Sequence, residues 1–276
     1  MKTILVDVTP FDARDNVLNA AVALAGKNDA HVVGLYVTHA RLAFTGLYSL
    51  TSPYIHPDTS AIEVTWRAKA EEAITKALAN TGLSYEFRHV STIPSDPMDT
   101  LIAQVRLADV FITGIDTDWN DNAVSQSDAL GQIIEGAGRP IIIVPEKSDY
   151  NPKFDTVSIG WDGSRECIRA VFDAIPILRH YAQCSLISVN VDRADMDARR
   201  QSATRMIETL GRHDIVASYK NIKAHGSDIK ALRKVGEESD LMILGAYHHR
   251  RLRERIFGGV TVSILNSPPC PVFLSR

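Results

Sequence analysis

The chain contains one module twice. "DVFITG" (109–114) and "DLMILG" (240–245) match at an offset of 131 residues, and the same offset aligns "RPIIIV" (139–144) with "CPVFLS" (270–275) without a gap. "TILVDVT" (3–9) likewise resembles "TVSIGWD" (156–162), and "HVVGLYV" (31–37) resembles "SLISVNV" (185–191). Solenoid and propeller repeats run at ~20–50 residues, so a period this long reads as a duplicated domain. The expected division is 1–146 and 155–276, with the polar, proline-bearing "EKSDYNPKF" (146–154) as the joint. A chain of 276 residues suits two domains.

Within each half, short runs rich in Val, Ile and Leu alternate with segments of helical period. Such runs suit strands of a parallel sheet covered on both faces. In "WRAKAEEAITKAL", Trp66, Ala70, Ala73, Ile74, Ala77 and Leu78 form one helical face, with charged residues on the other. "DIKALRKVGEES" spaces Ile229, Leu232 and Val235 in the same manner. Alternating strands and helices demand right-handed crossovers. The expected fold is α/β: two tandem doubly wound domains, each with a five-stranded parallel sheet. "RPIIIV" and "CPVFLS" end their halves and are expected at sheet edges, where an unpaired edge invites association. The halves differ at 39–61, a long loop with no counterpart after Val191, read as a lid, an interface or a variable excursion.

Composition excludes several classes of function. A net charge of −3 gives no global reason to expect nucleic acid or a membrane surface as partner. The longest apolar runs, such as "IIIV", fall far short of the ~20 residues of a membrane helix. The opening "MKTILVDVTPFDARD" lacks the apolar stretch of a signal peptide, and a cytoplasmic protein is expected. Cys167, Cys184 and Cys270 are far apart and read as buried free thiols.

The chemistry concentrates in the second half. Ligands of open parallel sheets bind beyond the carboxyl ends of the strands, where the winding reverses. If strands 1 and 4 flank that point, "WDGS" (161–164) faces "GAYHHRRLRERIFGGVT" (245–261). Gly258 and Gly259 let a ligand approach the backbone, and "VTVSILN" reads as a helix whose free N–H groups favour phosphate. Thr261 adds a hydroxyl. Arg250, Arg251, Arg253 and Arg255 stand against a single acid, Glu254, although their spacing prevents all four from facing one ligand. Asp162 offers a carboxylate to ribose hydroxyls, or else caps the following helix. The first half serves as an internal control. It has Ser127, Asp128 and Leu130 where the second has Gly258, Gly259 and Thr261, and Thr9 where the second has Asp162. With Asp116, Asp118 and Asp121 also present, phosphate binding is not expected there.

These residues resemble the universal stress protein family, in its tandem two-domain bacterial form, over essentially the whole chain. The fold implied is the adenine nucleotide alpha hydrolase-like, or universal stress protein, fold. ATP-binding members carry Gly, two residues, Gly, nine residues, then Gly followed by Gly, Ser or Thr. Gly245 and Gly258–Gly259 match, Val260 and Thr261 follow as in the family, and Gly226 matches the loop opening the third helix. The resemblance implies that Asp162 and Trp161 contact the nucleoside and that adenine is held by backbone groups at Val191. It implies ATP, with or without Mg, or AMP as ligand, a homodimer, an unidentified protein partner and a role in stress response. One departure stands out: His248 occupies the second glycine position, where positive φ or close approach would penalise a side chain.

Two classes of function remain: a regulator that binds an adenine nucleotide, or a scaffold that has lost the ligand and acts through its surfaces. An enzyme is not expected beyond slow ATP hydrolysis. G-x-x-x-x-G-K-[ST] is missing, so this is not a P-loop NTPase, and no G-x-S-x-G elbow marks a hydrolase. His225, His248 and His249 have no supporting acid or cysteine spacing for a metal.

Overall fold

The computed structural model describes residues 1–9, 14–37, 57–90, 97–115, 126–146, 152–153, 155–224, 227–246 and 263–276. The chain forms two compact units, the first mainly Met1–Arg139 and the second Pro140–Pro145 with Pro152–Arg276.

In unit 1, β1 (Thr3–Asp7), β2 (His31–Val37), β3 (Tyr85–Val90) and β4 (Val110–Gly114) run parallel in the order β3-β2-β1-β4. Helices α1 (Arg14–Asn28), α2 (Pro57–Leu78), α3 (Pro97–Val105) and α4 (Gln126–Ala137) connect and cover them. The expected face of α2 is buried: Ala70, Ile74 and Leu78 are in the core. Ile74 seats on β2 at Gly34, where an added Cβ would stand 2.1 Å from Ile74 Cδ1. Residues 57–61, expected as loop, open α2 instead. Pro57 suits a first helical position, since the N–H it lacks would have no intrahelical partner there. Residues 39–56 lie outside the described residues.

In unit 2, β6 (Thr156–Gly160), β7 (Gln183–Val189), β8 (Ala217–Ile222), β9 (Leu241–Gly245) and β10 (Val272–Ser275) are parallel, in the order β10-β9-β6-β7-β8. Helices α5 (Arg165–Leu178), α6 (Met196–Gly211) and α7 (Asp228–Glu237) belong to it, and residues 263–265 are helical as well. The amphipathic reading of 228–237 holds, but Ile229, Leu232 and Val235 are only half-buried. Closest packing of α7 falls on Gly236, where a Cβ would meet Pro269 Cγ at 2.3 Å.

The doubly wound α/β architecture is as expected; the terminal strands of the two repeats, expected at sheet edges, pair with each other. Strand β5 (Ile141–Val144) belongs to the second unit and pairs antiparallel with β10, so β10 lies between β5 and β9. Phe273 pairs with Ile142, its own repeat equivalent, and Val272 and Leu274 pair with Ile143 and Ile141 on either side. The two copies of one sequence thus meet about a local two-fold. An apolar strand whose residues are all buried leaves its backbone groups without water, and pairing is the only way to satisfy them.

The repeated aspartate of "DVFITG" and "DLMILG" has a structural role. Asp109 Oδ2 accepts from the backbone N–H groups of Lys2 (2.5 Å) and Thr3 (3.0 Å). Asp240 Oδ2 accepts from Asp155 (3.1 Å) and Thr156 (2.9 Å). Each carboxylate ties the start of a first strand to the start of a fourth. Asp240→Ala is expected to cost ~1–3 kcal/mol, as for hydrogen bonds to a charged group, read as a lower urea midpoint with an unchanged slope.

Candidate functional site

The register places β1 and β6 at the winding reversal of their units, each flanked by its second and fourth strand. In unit 2 the residues that follow Gly160 therefore lie beside the end of β9 at Gly245.

Trp161 extends the β6–β7 ladder by one residue, donating its N–H to Ile187 O at 2.7 Å. Its carbonyl accepts from Ser188 Oγ (2.5 Å) and Arg199 Nη1 (3.4 Å). The side chain is buried, and among the described residues the indole N–H has no hydrogen-bond acceptor. Asp162 Oδ1 accepts from Ser164 N at 2.8 Å, closing a turn in which Gly163 takes φ +70°. A Cβ on Gly163 would lie 3.1 Å from Ser202 Oγ of α6, so both conformation and space call for glycine. The alternative role for Asp162, capping α5, falls instead to Ser164, whose side chain accepts from Cys167 N at 3.1 Å.

Gly245 ends β9 directly against α5. A Cβ there would stand 2.5 Å from Cys167 N, 2.7 Å from Glu166 C and 2.9 Å from Cys167 Cα. The contact made by the first glycine of the motif is thus strand on helix, and it brings the Asp162–Ser164 turn beside the end of β9.

Cys167 donates its thiol to Gly160 O at 3.1 Å. Burial, and then the nearby Asp162 carboxylate, push its pKa up to about 12. Burial alone does the same for Cys184, to about 12. Both stay protonated at neutral pH and are poor nucleophiles. All three cysteines are buried thiols outside any disulfide, as expected.

Val191, the expected adenine contact, is half-buried and follows Asn190, a residue that the sequence reading missed. Asn190 takes φ +48° and donates its N–H to Ile222 O at 3.0 Å. Its side chain accepts from Ala224 N (2.8 Å) and donates to Asp228 Oδ1 (2.6 Å). One residue thereby joins the end of β7 to the segment opening α7. An asparagine just past a strand was the available signal, because Asn tolerates left-handed backbone. Arg199 gave none; it reaches the Trp161 carbonyl from a helix otherwise read as solvated.

His248, Gly258, Gly259, Val260 and Thr261 lie outside the described residues, as do Gly226, His225, His249 and the arginines of 250–255. So do Asp116, Asp118 and Asp121 of the first half. The structure therefore brings together Trp161, Asp162, Val191 and Gly245 at one end of unit 2. Among the described residues no three His, Cys, Asp or Glu side chains converge as a metal site. No described helix is long and apolar enough to cross a membrane.

Neither a protein-family model nor a curated protein matches the sequence. Solved structures do match over the full length. A universal stress protein from Archaeoglobus fulgidus DSM 4304 superposes with TM-score 0.68 at 16% identity, covering 99% of this chain and 96% of that one. A functionally unknown protein from Pseudomonas aeruginosa PAO1 gives TM-score 0.64 at 13% identity, covering 100% and 92%. A protein assigned as a universal stress protein from Pseudomonas aeruginosa UCBPP-PA14 gives 0.60 at 14%, covering 100% and 93%. At these identities the likeness is one of fold.

Proposed function

We propose that this chain is a tandem universal stress protein whose second unit holds an adenine nucleotide, ATP or AMP, beyond the ends of β6 and β9. Binding would shift a conformational or partner equilibrium, as in a cytoplasmic regulator. The observation that carries the reading is the pairing of Asp162 with the unspent donor of Trp161. Ser164 N–H holds Asp162 Oδ1 and so fixes the carboxylate at the carboxyl end of β6, where ribose hydroxyls would meet it. A buried N–H without an acceptor costs ~1–3 kcal/mol, and a bound ligand is a natural acceptor. Val191, fixed in place by Asn190, supplies backbone groups for the base. Gly258, Gly259, Val260 and Thr261 would receive the phosphates, with His248 beside them.

The test is a thermal shift of the full chain with ATP, ADP, AMP and GTP, with and without Mg. A ligand at 100 times its Kd stabilises by ~2.7 kcal/mol. Asp162→Asn preserves an acceptor for Ser164 N and removes the charge, so it should lose most of the shift without loss of basal stability. Gly259→Asp should lose the shift through repulsion of phosphate. Wild-type protein that responds to no nucleotide would sink the reading. One observation favours a second reading, a ligand-free scaffold: His248 stands where ATP-binding members carry glycine.

A further inference from the structure

Three described residues other than glycine take positive φ: Asp29, Asn190 and Asp214. Asp29 and Asp214 follow helices α1 and α6, and the next N–H groups, of Ala30 and Ile215, return to Ala25 O (3.2 Å) and Leu210 O (3.1 Å). The end of a helix is the usual place for left-handed backbone. Asn190 differs: it follows a strand, at the carboxyl end of the sheet, where an unusual backbone is a pointer to function.

Unit 1 shows what the turn changes. The matched stretches "HVVGLYV" and "SLISVNV" set Tyr36 against Asn190 and Val37 against Val191. Strand β2 runs straight on, with Tyr36 beside His89 and Val37 beside Val90. Strand β7 stops at Val189, beside Ile222. Asn190 donates its N–H to Ile222 O at 3.0 Å and turns the chain out of the ladder. Val191 is left half-buried, and no described residue bonds its N–H or C=O.

The Asn190 side chain fixes that departure from both ends of its amide. Its Oδ1 accepts from Ala224 N at 2.8 Å, and its Nδ2 donates to Asp228 Oδ1 at 2.6 Å. The second bond is charge-assisted, the stronger kind. Asp228 stands in the first turn of α7, where the helix dipole favours a carboxylate, and Ser227 makes no side-chain capping bond there. Asparagine meets all three demands. Aspartate lacks the donor, glutamine lacks the tolerance of left-handed backbone, and glycine makes neither bond.

We propose that Asn190 is a positioning residue for base recognition: it holds the Val191 N–H and C=O, released from the ladder, as a fixed donor–acceptor pair for the base. The proposal rests on the nucleotide reading above and adds what selects among bases. Adenine sets an amino donor beside the N1 acceptor. Guanine sets the O6 acceptor beside an N1–H donor, the reverse order. A rigid pair of backbone groups leaves the wrong base with unmatched polar atoms, and a loose pair adapts to either.

Titration of the full chain with ATP and with GTP tests this in wild type, Asn190→Asp and Asn190→Asp/Asp228→Asn. Asn190→Asp keeps an acceptor for Ala224 N but sets two carboxylates against each other. The double variant returns the donor from the opposite side at unchanged net charge. Wild type should favour ATP. That preference should fall about tenfold in Asn190→Asp, the effect of about one hydrogen bond, and the double variant should recover most of it. A fold that is merely weakened loses both nucleotides alike and leaves the preference unmoved. Without ligand, amide exchange at Ala224 should quicken in Asn190→Asp and slow again in the double variant. On wild-type protein, which needs no variant to fold, saturating ATP should protect the Val191 amide from exchange. Wild type that binds neither nucleotide defeats the nucleotide reading, and this proposal with it. ATP bound without preference over GTP, without protection of Val191, or with the preference unchanged in Asn190→Asp overturns this proposal alone.

Discussion

Gly245→Val should be among the most damaging single substitutions in unit 2, costing ~3 kcal/mol or more. Overpacking a filled site costs ~1–3 kcal/mol when side chains can yield. Here the obstacles are backbone atoms of the first turn of α5, at 2.5–2.9 Å from the new Cβ. Relief requires α5 to lift from β9, which disturbs the Ser164 cap and the Asp162 turn together. The expected result is a large fall in the urea midpoint. Gly26→Ala is the contrasting control: nothing lies within 4 Å of a Cβ there, in the last turn of α1. That change should stabilise by ~0.5–1 kcal/mol through the lower backbone entropy of the unfolded chain. The pair separates two meanings of a motif glycine. Loss of ligand binding in Gly245→Val would report on helix packing as much as on the ligand, so Asp162→Asn is the sharper probe of the site.

Phe273→Ala should cost ~3–5 kcal/mol, the range for truncating a buried Phe. Phe273 is fully buried on β10 and pairs with Ile142, which is 5% exposed. The two residues sit at the centre of the β5–β10 pair, where each strand lies opposite its own repeat. Truncating Phe273 opens a cavity that Ile142 cannot fill, since its backbone is held by the ladder. Ile142→Ala should cost ~2–5 kcal/mol, and the double variant less than the sum, because both remove one contact. Additive losses would show that the pair is not an energetic unit.

Most of the fold was legible because burial leaves a periodic imprint. Ala70, Ile74 and Leu78 recur at helical spacing, and each faces the sheet. The site was legible where chemistry needs an uncommon local conformation: "WDGS" becomes a turn with Gly163 at positive φ followed by a capped helix. Asp7 was passed over. Its bond to Thr113 spans more than a hundred residues of chain, and Thr9 drew the comparison with Asp162 instead. Arg199 was missed for a similar reason, since which carbonyl it reaches depends on how α6 lies across β6.

By itself the sequence determined the duplication, the alternation of strand and helix, and the apolar face of each element, since these depend on residues near one another along the chain. Only the tertiary structure decided that β5 closes onto β10, that Gly245 serves a helix, and that Asp7 bonds to Thr113 across the strand pair. Burial is not directional: an apolar strand is satisfied by any suitable neighbour. Which neighbour it has is settled when distant segments exclude water together.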